Sequence, residues 1–166
     1  MGFGETFLRL LGATQTESID ASSYEGASQI LDLNQPLPPE LEGSFTAVID
    51  AGSLEHVFDV QTALRSCMVA PDGHFLSITA ANNMMGHGFY QFSPELFYRV
   101  FSEANGFTVE RMLMTGKSST RWYEVADPKT LMSRGGRVQR LPRRPPRVQS
   151  PRRSCTRWNV SHLIGC

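Results

Sequence analysis

The chain has 166 residues, the size of one ordinary domain. With 40% hydrophobic residues, 19% charged residues and zero formal net charge, it is neither collagen-like nor wholly disordered, and no apolar run reaches the roughly 20 residues that span a bilayer. The neutral sum hides a division: residues 1–128 carry all 16 acidic residues and six basic ones, whereas residues 129–166 carry ten basic residues and no acid, so −10 is followed by +10.

Residues 1–128 read as a globular domain, holding all ten Phe and six of the seven Met. Phe7 to Leu11 is apolar and helix-compatible, with Gly12 as its stop. Thr16 to Asp20 and Gln29 to Leu33 are short strand candidates, the second closed by Asn34 and the turn Pro36-Leu-Pro-Pro39. Phe45 to Asp50 is the clearest buried strand. Asp59 then caps a predicted helix whose inner face is Val60, Ala63, Leu64, Cys67 and Met68. Pro71-Asp72-Gly73 is a turn, and His74 to Ala80 resumes as a strand. Ser93-Pro94-Glu95 starts another helix, with Leu96, Phe97, Val100, Phe101 and Ala104 as its apolar stripe and Asn105-Gly106 as its stop. Phe89 and Phe92, just before it, are expected to anchor it in the core. Phe107 to Met114 is the last predicted strand.

Strands alternating with helices predict an α/β fold: a doubly wound, mostly parallel, Rossmann-like sheet. Ligands of such sheets bind at the carboxyl ends of strands, where Asp20, Asp32, Asp50 and Asn82-Asn83 stand.

Residues 129–166 are different. Arg-Gly-Gly-Arg, Leu-Pro-Arg-Arg-Pro-Pro-Arg and Ser-Pro-Arg-Arg-Ser remove backbone donors, repel one another and offer few apolar side chains, so no packed core is expected from about Ser133 to Ser161. Three readings of this disordered tail stay open: a basic arm for phosphate backbones, a solvated extension, or the product of a changed reading frame. The abrupt loss of every carboxylate favours the third over an arm, so nucleic acid is not the expected partner. Cys67, Cys155 and Cys166 are odd in number and form no Cys-x-x-Cys pair, so neither a disulfide framework nor a zinc ribbon is expected. Cys155, His162 and Cys166 lack tight spacing, and no metal centre is expected. Met1-Gly2-Phe3-Gly4 has neither the basic nor the apolar region of a signal peptide, so a reducing, cytoplasmic setting is expected.

Over roughly residues 2–128 the chain resembles a class I S-adenosylmethionine-dependent methyltransferase. The carriers are Ser18-Ile-Asp20, Ile30-Leu-Asp-Leu-Asn34 and Val48-Ile-Asp-Ala-Gly-Ser-Leu-Glu-His-Val-Phe58, followed by a helix, Pro71-Asp72-Gly73 and the next strand. Gly86-His-Gly-Phe-Tyr-Gln-Phe-Ser-Pro-Glu-Leu-Phe97 resembles the signature of a subgroup. The resemblance implies that Asp20 accepts from the ribose hydroxyls, that Asp32 and Leu33 lie at the adenine, and that Asp50, Ala51 and Gly52 border the methionine moiety. It also implies a small-molecule or sugar-like methyl acceptor, with Glu55, Tyr90 and Gln91 on the acceptor side. His56 or His87 would be the base, an imidazole being suited to proton transfer near neutral pH.

Two departures from the family pattern qualify this. Gly2 and Gly4 stand where a remnant of the family's Gly-x-Gly-x-Gly turn would fall, but the chain opens at Met1 with no residues for the strand before that turn. After Trp122 to Pro128 the Arg/Pro tail replaces the family's last strands. The expectation is therefore a truncated member, with a noncatalytic fragment and nucleic-acid binding through the tail as alternatives. Neither a membrane nor a metal belongs to it.

Overall fold

The computed structural model describes residues 3–67, 71–116, 120–132 and 161–165. It is a small α/β protein with short sheets and, among the described residues, no closed barrel. The helices are α1 (Phe3–Leu10), α2 (Val60–Ser66), α3 (Pro94–Val100) and α4 (Pro128–Met132). The strands are β1 (Ile19–Asp20), β2 (Gln29–Ile30), β3 (Ala47–Asp50), β4 (His74–Ala80), β5 (Arg111–Thr115), β6 (Trp122–Glu124) and β7 (Ser161–Gly165).

Pairing begins two strands at a time. β1 and β2 run parallel, as do β3 and β4 with Asp50 opposite Ser77; β5 and β6 are antiparallel. β7 lies parallel to both β4 and β5 and joins the second and third pairs in the order β3-β4-β7-β5-β6. The expectation of a wholly disordered tail is corrected here, because Ser161 to Gly165 is an interior strand of that sheet. Residues 133–160 and Cys166 of the tail lie outside the described residues.

Local chemistry explains the elements around the core. Asp59 caps α2, its carboxylate accepting from Thr62 N at 3.1 Å and Thr62 Oγ1 at 2.9 Å. Pro94 occupies the first turn of α3, where a missing N–H costs nothing. Ser93 precedes it in extended conformation without a side-chain capping bond. α3 ends at Val100, earlier than the apolar stripe predicts. Asn105 Nδ2 donates back to Val100 O at 2.9 Å, and Gly106 at φ +81° turns the chain away.

One core gathers Leu54, Val57, Ala63, Leu64, Cys67, Phe75, Phe92, Phe97, Phe101 and Met112. Its centre is aromatic: Phe97 lies 5.8 Å from Phe92 and 6.3 Å from Phe101, which lies 5.0 Å from Phe75. Phe75, Ser77 and Thr79 alternate along β4 and face this side. Ile49 and Ile78, on the other face, are 45% and 40% exposed. Helices α2 and α3 thus share one side of β4 within this core, and the two-sided covering of a doubly wound sheet is not seen among the described residues. Beyond α3, Tyr98 Oη donates to Val125 O at 2.6 Å, and Arg99 pairs with both Glu95 and Asp127. Among the described residues no helix is long and apolar enough to cross a membrane.

Candidate functional site

Strand β4 holds two buried acids through two buried hydroxyls. Asp50, the last residue of β3, is 6% exposed. Its Oδ1 accepts from Ser53 N at 2.9 Å and Leu54 N at 3.2 Å, and its Oδ2 accepts from Ser77 Oγ at 2.8 Å. Glu55, in the 3₁₀ turn Leu54–His56, is 3% exposed and accepts from Thr79 Oγ1 on Oε2 at 2.7 Å. Both hydroxyls come from the core-facing side of β4, a polar alternation visible in Phe75-Leu-Ser-Ile-Thr79 but not recognised as a site in the sequence.

Burial pushes the Asp50 carboxyl above its ordinary value of 3.8, against hydrogen bonds from Ser53, Ser77 and Leu54, and the charge of Glu55 adds to the rise. A raised value means that the folded chain holds the proton more tightly than the unfolded chain. Stability from this group is therefore greatest at low pH and is lost as pH rises from 3.8 through the raised value. Asp32 and Asp59, lowered chiefly by the backbone N–H groups of Asn34 and Thr62, act in the opposite sense and below 3.8. Asp50→Asn can still accept from Ser53 and Leu54 and can donate to Ser77. Urea midpoints measured at a series of pH values above 3.8 should fall less with rising pH in this variant than in the parent; equal slopes would show that Asp50 is not the group responsible.

The loop after β4 folds back on Glu55. Asn83, Gly86 and Gly88 take positive φ, and Gln91 Oε1 accepts from Met84 N at 2.9 Å. Glu55 O accepts from Phe89 N at 2.7 Å and Tyr90 N at 3.2 Å. Gly88 passes so close that a Cβ there would lie 2.6 Å from Glu55 O. This closure sets His87 Nε2 3.6 Å from Glu55 Oε1, and the His56 and His87 rings lie edge to face with centroids 4.9 Å apart. Glu55 is buried and both imidazoles are exposed. Phe58 and Phe89, 71% and 65% exposed, pair at 5.6 Å beside the loop.

Glu55, His56 and His87, expected on the acceptor side, are therefore brought together. Tyr90 and Gln91 are adjacent but serve the loop itself: Tyr90 Oη donates to Phe58 O at 2.6 Å, and Gln91 closes onto Met84. Phe92 is buried as expected, whereas Phe89 is exposed, because its backbone is tied to Glu55 while its ring turns towards Phe58.

The residues expected at a cofactor lie elsewhere. Asp20 ends β1, half-buried, and its Oδ1 accepts from Ser22 N at 2.6 Å and Ser22 Oγ at 3.0 Å. Asp32 is exposed, its Oδ1 taking the N–H and side-chain amide of Asn34; Leu33 packs against the core. Gly52 has φ +96° and Ala51 is exposed. Both oxygens of Asp50 are committed to the chain's own donors, so it pins the turn. Gly4 is corrected: it belongs to α1, not to a glycine turn, and Gly2 lies outside the described residues. Among the described residues no hydrogen bond or ion pair links Asp20 or Asp32 to the Glu55–His56–His87 cluster.

Cys67 is no nucleophile, since burial, with the charge of Asp50 adding, pushes its thiol up to about 12. A groove of about 600 Å³ lined by Leu64, Leu96, Val100 and Phe107 shares no residue with the cluster. Comparison of the chain with protein-family models, curated proteins and solved structures finds no match.

Proposed function

We propose that the chain is a methyltransferase-like protein of the Rossmann-like class, binding S-adenosylmethionine and directing its methyl group to a small-molecule acceptor. The observation that carries this reading is the placing of acids at the carboxyl ends of parallel strands. Asp20 closes β1, Asp32 follows β2, and among the described residues the chain's own hydrogen bonds to each fall on Oδ1. Each Oδ2 is then left for a ligand, and a carboxylate oxygen matches the hydroxyls of a ribose or the amino group of an adenine. These two acids fit the adenosine portion of the cofactor. Asp50 does not offer a free oxygen, so the methionine end would be bordered by Ala51 and Gly52.

When bound, the cofactor supplies an electrophilic methyl on a sulfonium centre. The residues of the chain would align the acceptor and handle its proton. His56 and His87, exposed beside Glu55, suit an acceptor hydroxyl or amine, and the Phe58–Phe89 pair offers an apolar surface for the rest of it.

Calorimetric titration of the full chain with S-adenosylmethionine tests the reading. Saturable binding is expected in the parent and none in Asp20→Ala; unchanged affinity in that variant removes Asp20 from the site. One observation favours a second reading, a noncatalytic chain: among the described residues no strand pairs with the outer edge of β1 or of β3. Absence of binding in the folded parent selects it.

A further inference from the structure

We infer that Glu55, His56 and His87 form a binding site for a divalent transition-metal cation, zinc being the best match. One carboxylate oxygen and two imidazole nitrogens are the donors such an ion takes, and imidazole suits zinc better than calcium or magnesium. The donor atoms lie within 4.8 Å of one another, and the Glu55–His87 pair is already at 3.6 Å. Zinc–ligand bonds of about 2.0–2.2 Å place neighbouring tetrahedral donors about 3.4 Å apart. Only the two exposed imidazoles need to shift inward. Three protein donors leave a coordination position for water or a ligand, and a bound ion takes the imidazole lone pairs, so it displaces the proton-handling role proposed above for His56 and His87.

Several features mark the site as built. Thr79 Oγ1 holds Oε2 of the carboxylate from the buried side, the kind of outer contact that orients metal ligands. Glu55 is nearly sealed from water, where an uncompensated negative charge is costly, and His87 Nε2 stands 3.6 Å from its Oε1. The approach of His87 is enforced by the double hydrogen bond to Glu55 O and the absence of a side chain at Gly88. Glu55-His56 and His87 come from separate loops, so folding itself assembles the donors.

The inference does not depend on cofactor binding at Asp20 and Asp32, and its test uses the metal alone. Full-length, tag-free chain is titrated with cobalt(II), followed by visible absorption, with zinc as competitor. One equivalent of cobalt, displaced by zinc, is expected. His56→Ala and His87→Ala should each weaken binding by tenfold or more. Thr79→Val, which keeps the shape but loses the orienting hydroxyl, should weaken it by roughly 10-fold or more. Circular dichroism confirms that each variant is folded; the two histidines are exposed, so their loss leaves the core intact. No binding by the parent overturns the site. So does unchanged affinity in a variant carrying both His56→Ala and His87→Ala, or an intense thiolate-to-cobalt band, which would place the ion on cysteine. Loss of S-adenosylmethionine binding with cobalt binding intact overturns the proposed function and leaves this site standing.

Discussion

Phe97→Ala is expected to lower stability by about 3–5 kcal/mol, the usual cost of emptying a buried phenylalanine position. Phe97 is fully buried and contacts Phe92 and Phe101 within one aromatic cluster. A typical domain has only about 5–15 kcal/mol in hand, so the variant should unfold at a much lower urea concentration or fail to fold at 25 °C. Phe89→Ala provides the contrast. Phe89 is 65% exposed, and truncation should cost under roughly 1 kcal/mol. Urea titrations of both variants by circular dichroism give the comparison. Equal losses would mean that Phe97 is not at the centre of the core.

The second large effect is expected at Gly88. Alanine there meets two penalties: a φ of +75° and a Cβ only 2.6 Å from Glu55 O. The left-handed backbone costs roughly 1–2 kcal/mol for a residue with a side chain. The collision forces the loop outward and breaks the bonds from Phe89 N and Tyr90 N, worth about 1 kcal/mol each. A total near 3 kcal/mol is expected. Gly86→Ala separates the two penalties, since Gly86 has φ +80° but nothing within 4 Å of an added Cβ. Gly86→Ala should show the backbone penalty alone, and Gly88→Ala should additionally lose cobalt affinity as His87 leaves Glu55. Equal urea midpoints in the two variants would refute the close approach.

The sequence was most readable where local chemistry decides the structure. His74 to Ala80 is a strand over the predicted range, Asp59 is the cap of α2, and Pro94 opens α3. Where a partner decides, the prediction drifted. Thr16 to Asp20 and Gln29 to Leu33 shrink to two paired residues each, because among the described residues β1 and β2 have only one another. The strand expected from Phe107 begins at Arg111, opposite the first residue of β7. β7 itself was not legible: five residues behind an Arg/Pro stretch become a strand only by insertion between β4 and β5, a pairing distant in sequence. The candidate site divides in the same way. Glu55, His56 and His87 stood out as chemistry-bearing types, but their meeting depends on a loop closure. Ser77 and Thr79 read as ordinary strand residues until the face they share with Phe75 was known.

Those two hydroxyls also bear on strand register. In the observed alignment Ser77 meets Asp50 and Thr79 meets Glu55. A slip of β4 by one residue would exchange its faces, presenting Leu76 and Ile78 to the two acids. Aliphatic side chains would tolerate such a slip at moderate cost, whereas two nearly dry carboxylates facing hydrocarbon would not. The buried polar pairs thus supply alignment more than net stability: they make neighbouring registers of a short, otherwise permissive strand pair energetically distinct.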